Sequence, residues 1–184
     1  MRVSSGIYKG REINVPRSGV KPTSDKVRQA IMNILQNRIR GIRFLDLYCG
    51  TGSVGIEALS CGASYSVFVE DSNRVYRFLK QNLDEIIGDK SIYKTYCHNA
   101  LNLSEILNSN ENFDVIFADP FYRDADDHFE DLYKSAIPFL NTDGIFIIEH
   151  GSRTDFSSFP LYSGSRDYGD THLSIFEKNG RFRK

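Results

Sequence analysis

The sequence predicts an α/β fold, a doubly wound and mostly parallel sheet of seven strands that ends in an antiparallel hairpin. Three observations lead to this prediction. From residue 43 onward, short apolar runs alternate with segments whose apolar residues recur at helical spacing, a pattern typical of β-α-β units. The first run leads directly into a glycine-rich turn. The last two runs, 162–168 and 173–178, are joined by a short turn alone, which favours an antiparallel pair.

The residues before this alternation are expected to form a small extension. Val3–Tyr8 and Arg11–Val15 flank a Lys-Gly turn and predict a hairpin. A helix should follow, because Thr23 or Ser24 can cap it and the apolar residues beyond them fall on one helical stripe. The predicted parts of the chain are the extension, 1–42, and the larger domain, 43–184.

The larger domain predicts five strands that are parallel, because each connection between them crosses over the sheet. The predicted strands are Arg43–Leu47, Tyr65–Glu70, 92–97, Phe113–Ala118 and 145–149. The predicted helices are 53–60, one opened by Asp71 or Ser72, a short one after Ala100, and one from about Asp126 to Leu140.

Three glycines follow the first predicted strand. Gly50, Gly52 and Gly55 have G-x-G-x-x-G spacing, and glycine permits positive φ and close approach of the backbone to a ligand. This spacing alone is a weak signal. Glu70 ends the second predicted strand 18 residues after Gly52, close to the distance of about 20 residues at which an acid binds ribose hydroxyls. Together these residues favour a ligand that contains a nucleoside.

Asp46 lies at the carboxyl end of the first predicted strand. Its charge would repel a pyrophosphate at the N-terminus of the next helix, whereas a positively charged ligand would be favoured there. S-adenosylmethionine has an amino group, a sulfonium and a ribose but no phosphate, so it is the predicted cofactor. The alternative is that Asp46 and Glu70 are ordinary acids at strand ends.

The segment Asp119-Pro120-Phe121-Tyr122 follows the fourth predicted strand, at the edge of the sheet where α/β proteins bind ligands. The lone pair of a purine amine is delocalised into the ring, so the amine attacks a methyl group only if its hydrogens are held out of conjugation. Asp119 and the Pro120 carbonyl can accept those hydrogens, and Phe121 or Tyr122 can stack on the base. The alternative is an ordinary turn, since Asp-Pro is common in turns.

The formal net charge of −1 hides an asymmetry. Residues 1–43 contain ten Lys and Arg against two acids, a net charge of +8, so the remainder carries −9. Concentrated positive charge beside an acidic body favours nucleic acid as a partner, although it also fits a solvated face. The predicted phosphate contacts are Arg2, Lys9, Arg11, Lys21 and Arg28.

Metal, disulfide and membrane signals are weak or missing in the sequence. The three cysteines and four histidines are scattered without the spacing of metal ligands, so we expect no metal site. The chain has no run of about 18 apolar residues, and its first residues lack the apolar stretch of a signal peptide. We therefore expect a cytoplasmic protein without membrane contact. We also expect a monomer.

These motifs resemble class I S-adenosylmethionine-dependent methyltransferases, whose fold is Rossmann-like. RVSSGIYKGR (2–11), PTSDKVR (22–28), NIL (33–35) and YGDT (168–171) are similar to a narrower group. That group is the bacterial methyltransferases that modify the N2 amine of a guanine in 16S ribosomal RNA. The resemblance implies an enzyme that takes S-adenosylmethionine and acts on ribosomal RNA or the small ribosomal subunit.

The resemblance also implies roles for matching residues. Asp46 and Gly50 would line the methionine end of the cofactor, and Glu70 would hold its ribose. Asn99 with Ala100 would meet its adenine, while residues 119–122 would hold guanine. The complete set of predicted cofactor contacts is Asp46, Tyr48, Gly50, Gly52, Glu70, Asn99 and Ala100.

Two positions depart from the pattern of that group. It usually has a second proline where this chain has Phe121, and an aspartate where this chain has Asn99. Losing the proline removes a restraint on φ. Asn99 keeps an acceptor oxygen for the adenine amine but loses the charge.

Three other functions fit part of the sequence. A methyltransferase of adenine N6 or of a glutamine side chain would use the same Asp-Pro motif. A nicotinamide-dependent oxidoreductase would use the glycine turn, but Asp46 argues against its pyrophosphate. A ribosome-assembly factor that binds RNA without catalysis would explain Phe121 as a sign of decay.

Overall fold

The computed structural model describes residues 1–16, 23–120, 128–151 and 154–179 of the 184. Its strands are β1 Arg43–Leu47, β2 Tyr65–Glu70, β3 Tyr93–Cys97, β4 Phe113–Ala118, β5 Leu140–Gly151, β6 Tyr162–Tyr168 and β7 Thr171–Glu177. They form one sheet in the order β3-β2-β1-β4-β5-β7-β6. The first five strands pair in parallel, and β7 runs antiparallel to β5 and β6. The predicted fold class, with its terminal hairpin, is confirmed.

The described ranges contain four α-helices: α1 Asp25–Leu35, α2 Ser53–Cys61, α3 Asn73–Ile86 and α4 Phe129–Ala136. Short 3-10 turns lie at Lys90–Ile92, Ala100–Glu105 and Ile137–Phe139. Ser24 caps α1 and Ser72 caps α3, since each hydroxyl accepts a hydrogen bond from a backbone N–H of the first turn. None of these helices is long and apolar enough to span a membrane.

The predicted N-terminal hairpin is reduced to one antiparallel bridge, between Arg2 and Glu12. The backbone N–H groups of Ser4 and Ser5 donate instead to the carboxylate of Glu57 in α2, at 2.7–3.1 Å. The hairpin prediction is therefore wrong in extent. The buried Glu57 carboxylate accepts hydrogen bonds from backbone N–H groups that would otherwise pair with a neighbouring strand.

α4 is shorter than predicted, and β5 is longer. α4 ends at Ala136, before the 3-10 turn that contains Pro138, because proline has no N–H to continue an α-helix. β5 includes Asp143-Gly144, which resembles a turn in sequence. The pairing of β5 with β4 shifts register between Phe113 and Val115, and this shift lets the strand continue. Other strand boundaries differ from the predictions by one or two residues.

The sheet carries an apolar core on each face, as expected for side chains that alternate along a strand. Phe44 of β1 lies in the core beneath α1, α2 and α3, whereas Leu45 lies in the core beneath α4 and the 3-10 turn at 100–105. The extension adds Val3 and Ile13, which are 2% and 1% exposed, to the first core. The extension is therefore packed into the same folded body as the sheet.

A buried ion pair attaches the extension to α2. The Arg28 side chain is fully buried, and its guanidinium lies 3.7 Å from Glu57 and 2.9 Å from Asp25. It also donates to the backbone carbonyl of Arg2 at 2.8 Å. The prediction that Arg28 contacts phosphate is therefore wrong for this structure, because its charge is compensated inside the protein and shielded from solvent.

Candidate active site

Three acids meet at the carboxyl edge of the sheet. β1 lies between β2 and β4, and Asp46 is in register with Phe68 of β2 and with Phe117 of β4. Glu70 ends β2 and Asp119 follows β4. Burial is the main cause of the raised pKa of Asp46, and repulsion from Asp119 and Glu70 adds to it. The structure thus brings together three acids that were predicted from separate parts of the sequence.

Asp46 is buried, with 1% of its surface exposed. Its Oδ2 accepts a hydrogen bond from the Gly55 N–H at 2.8 Å, whereas its Oδ1 is buried and has no hydrogen-bond partner among the described residues. Burial raises the pKa of Asp46 to about 8, and the Gly55 hydrogen bond opposes that change. A cation bound at Oδ1 would favour the ionised form.

Glu70 is also buried, and its carboxylate accepts hydrogen bonds from the glycine turn and from the start of α3. Oε2 accepts from the Gly50 N–H at 3.0 Å, and Oε1 accepts from the Ser72 N–H at 2.9 Å. Burial raises the pKa of Glu70, and these two hydrogen bonds partly offset the effect. Because each carboxylate oxygen has two lone pairs, Glu70 can still accept a hydroxyl from a ligand.

The glycine turn has a strained backbone that only some residues tolerate. Gly50 and Gly52 have φ of 56° and 86°, and Tyr48, which is partly buried, has φ of 54°. A Cβ on Gly52 would lie 2.5 Å from Cδ1 of Leu79 in α3. The space beside Gly52 is therefore filled by the core. Close approach of a ligand to the backbone of Gly52 stays a prediction, and the described neighbours add a second reason for glycine here, the packing of α3.

Asn99 and Ala100 follow β3 on the same edge. Asn99 is exposed, and its Oδ1 accepts from the Leu101 N–H at 2.8 Å. Ala100 is buried at 2% exposure. The acceptor oxygen that was assigned to adenine therefore already caps the 3-10 turn, with one lone pair remaining for a ligand.

Asp119 and Pro120 come directly after β4. The Asp119 N–H donates to the Leu47 carbonyl at 3.4 Å, and Pro120 is buried. The hydroxyl of Thr23 donates to Asp119 Oδ2 at 3.0 Å, a contact that the sequence analysis missed. Its only signal was the position of Thr23 within the PTSDKVR segment. The predicted residues Phe121 and Tyr122 lie outside the described residues.

Two of the predicted phosphate contacts, Lys9 and Arg11, lie toward the edge of the sheet opposite Asp119. α2 and α3 start at the carboxyl edge, so their last turns point to the opposite edge of the sheet. The turn around exposed Lys9 is held there by hydrogen bonds to Ser60 near the end of α2. Arg11 donates to the Glu85 carbonyl in the last turn of α3 at 2.8 Å, a favourable place for a cation.

The other end of the extension returns toward the glycine turn. The Asn14 N–H donates to Asn82 of α3, whose amide donates to the Thr51 carbonyl. Arg2, by contrast, lies beside the turn at Lys9: its exposed guanidinium donates to the Gly10 carbonyl at 2.9 Å and forms a long, 3.9 Å ion pair with Glu12. Lys21 lies outside the described part of the chain. Three of the four described residues among the predicted phosphate contacts, Arg2, Lys9 and Arg11, therefore lie close together at the surface. The fourth, Arg28, is buried.

The order of the sheet, its antiparallel last strands and the acid-flanked glycine turn after β1 define the class, a Rossmann-like methyltransferase fold. More specifically, the chain belongs to the family described as Conserved hypothetical protein 95, whose model matches residues 1–177.

Relatives of known name support this assignment. The YlbH protein of Bacillus subtilis (strain 168) is 30% identical over 186 residues, which cover 98% of this chain and all of that protein. The ribosomal RNA small subunit methyltransferase D of Haemophilus influenzae is 32% identical over 121 residues, 65% of this chain and 63% of that protein. The solved structure of a hypothetical protein of Thermus thermophilus, TTHA0928, superimposes with a TM-score of 0.82 at 29% identity, covering 96% of this chain and 99% of that one. The predicted family resemblance is confirmed.

Proposed function

We propose that this protein transfers a methyl group from S-adenosylmethionine to the exocyclic N2 amine of a guanine in 16S ribosomal RNA. The observation that carries the proposal is the meeting of Asp46, Glu70 and Asp119 at one edge of the sheet. Two of these acids suit a cationic nucleoside cofactor, and the third suits an amine acceptor. The name of the Haemophilus influenzae relative supports ribosomal RNA as the substrate class.

The acids fit the cofactor better than they fit a dinucleotide. Asp46 Oδ1 is a buried acceptor without a partner in the described residues, so a ligand ammonium would satisfy it. Glu70 would accept the ribose hydroxyls, and Asn99 with Ala100 would meet adenine. When bound, S-adenosylmethionine supplies a methyl group made electrophilic by its sulfonium. A pyrophosphate would instead be repelled by these carboxylates.

Asp119 and the Pro120 carbonyl would accept the two hydrogens of the guanine amine. That geometry turns the nitrogen lone pair out of conjugation with the ring and toward the methyl group. Because the amine becomes more acidic as the new bond forms, Asp119 is also placed to receive the proton that is released. Phe121 and Tyr122 remain the proposed stacking partners of the base.

The extension, residues 1–42, is proposed to contact RNA, while residues 43–184 carry the chemistry. Arg2 and Lys9 are exposed on the described surface, and Lys21 precedes Thr23. Arg11 would share its guanidinium between phosphate and the end of α3. A cytoplasmic location fits this substrate.

A methyl-transfer assay with matched RNAs tests the proposal. Radiolabelled S-adenosylmethionine is incubated with the protein and either small ribosomal subunits, transcribed 16S RNA, or 16S RNA in which inosine replaces guanosine. Because inosine lacks the N2 amine, we expect label in guanine-containing RNA alone. Label in the inosine RNA would indicate another acceptor, such as adenine N6. Tight RNA binding without transfer to any of the three substrates would indicate a non-catalytic assembly factor.

A further inference from the structure

Thr23 joins the extension to the candidate acceptor site. Its Oγ1 donates to Asp119 Oδ2 at 3.0 Å across 96 residues of sequence. Thr23 is 9% exposed, so solvent competes weakly for this hydrogen bond. This hydrogen bond links the described part of the extension to an acid that the proposed reaction uses.

The hydroxyl is held from the side of α1. Thr23 directly precedes Ser24, whose Oγ accepts the Val27 N–H at 3.3 Å and fixes the first turn of that helix. α1 is in turn anchored by Ile31, which is completely buried, and by the buried pair of Arg28 with Glu57. These contacts limit the positions that the Thr23 side chain can take.

The carboxylate is held from the side of the sheet. Asp119 follows β4 directly, and its N–H donates to the Leu47 carbonyl of β1 at 3.4 Å. The main chain thus fixes the position of the Asp119 Cα. Rotation about the side-chain bonds still determines where the carboxylate oxygens lie. A hydrogen bond from Thr23 to one oxygen selects one rotation of the carboxylate plane.

We infer that Thr23 is a positioning residue that orients Asp119 toward the acceptor amine, an inference that rests on the proposed function. An ionised carboxylate has about four acceptor positions, so a hydrogen bond from Thr23 leaves capacity for an amine hydrogen. The amine lone pair is held out of conjugation only if the Asp119 oxygen lies in the right direction from the amine hydrogen. Loss of the Thr23 hydroxyl should therefore slow methyl transfer more than it weakens RNA binding.

Substitutions that separate the hydroxyl from side-chain volume test this role. Thr23→Val keeps the shape and removes the donor, whereas Thr23→Ser keeps the donor. We expect Thr23→Val to lower kcat about tenfold or more, the effect of losing one hydrogen bond to a charged group. KM for RNA and Kd for S-adenosylmethionine should stay within about twofold, the level expected when no binding contact is lost. Thr23→Ser should retain most of the activity, and Thr23→Ala replaces Thr23→Val if that variant folds poorly.

A double-mutant cycle with Asp119→Ala, which leaves no side-chain oxygen to accept from Thr23, gives a readout that a merely structural role would not produce. If Thr23 acts through Asp119, Thr23→Val should have little further effect in the Asp119→Ala background. Equal losses in both backgrounds, or an active Thr23→Val, would overturn the inference alone. Wild-type protein that methylates neither 16S RNA nor small subunits would overturn the proposed function and this role together.

Discussion

Replacing Asp46 with asparagine should weaken cofactor binding and stabilise the folded protein above about pH 5. Asp46→Asn keeps the side-chain volume and an oxygen that can accept from the Gly55 N–H, but it cannot ionise. In the wild type, burial raises the pKa of Asp46 from 3.8 to about 8. The stabilising contribution of a group with a raised pKa is complete below the unfolded value, near pH 4. It is lost progressively as the pH rises toward 8.

The size of this effect follows from linkage. Between the two pKa values the folded state holds a proton that the unfolded state releases, which costs about 1.4 kcal/mol per pH unit. From pH 5 to pH 8, wild type should therefore lose on the order of 4 kcal/mol relative to Asp46→Asn, as an upper limit. Without the carboxylate, affinity for S-adenosylmethionine should fall at least about tenfold, the scale of a charged hydrogen bond.

Urea unfolding of both proteins without cofactor, at pH 5, 6, 7 and 8, measures the difference in the free energy of unfolding. Asp170→Asn, at an exposed position in the turn between β6 and β7, controls for the loss of a carboxylate as such. Calorimetry with S-adenosylmethionine measures the binding arm. A difference between Asp46→Asn and wild type that does not change with pH would refute the raised pKa, and unchanged affinity would refute contact with the cofactor.

Three further predictions concern the turn, the acceptor site and the extension. Asp119→Ala should lower methyl transfer by about 10²-fold, the scale of one well-placed polar group, and leave cofactor affinity unchanged; undiminished turnover in the folded variant would contradict its assignment. Gly52→Val should destabilise the fold as well as abolish cofactor binding, because its Cβ would meet Leu79 at 2.5 Å and its φ is 86°; a variant with the wild-type unfolding midpoint and affinity would contradict this. Arg11→Ala should reduce the log–log salt slope of RNA binding by about 0.7–0.9 if Arg11 contacts one phosphate, and filter binding across a salt series would show an unchanged slope if it only caps α3 through Glu85.

The acids of the site could be predicted because one rule places them. Parallel strands end on a common edge, so Asp46, Glu70 and Asp119 converge once the strands are recognised. The glycine spacing also predicted the turn correctly. The spacing did not predict that packing also requires glycine at position 52, because the atom that a Cβ would meet there belongs to Leu79, 27 residues later.

Contacts of the extension could not be read from local patterns. Arg28 was expected at the surface as a phosphate contact, yet Glu57 of α2 compensates its charge in the interior. The Glu57 carboxylate also accepts the hydrogen bonds of backbone N–H groups that the expected hairpin would have paired. Thr23 has the sequence of a helix-capping residue, and only the fold shows that its hydroxyl reaches Asp119.

This packing also changes what truncation of residues 1–22 can show. If these residues contributed only positive charge, deleting them would test RNA contact. The deletion also removes Val3 and Ile13 from the core, however, and it leaves the Glu57 carboxylate without the hydrogen-bond donors of Ser4 and Ser5. We therefore expect the truncated protein to be unstable. Single substitutions such as Lys9→Ala, at an exposed position, separate RNA contact from folding.

The central claim is tested most directly by nucleoside mass spectrometry of 16S ribosomal RNA from cells that lack this protein, compared with cells that regain either wild type or Asp119→Ala. We expect the deletion to lose one N2-methylguanosine, wild type to restore it, and Asp119→Ala to leave it missing. Unchanged N2-methylguanosine in the deletion, or loss of a methylated adenosine in its place, would contradict the account.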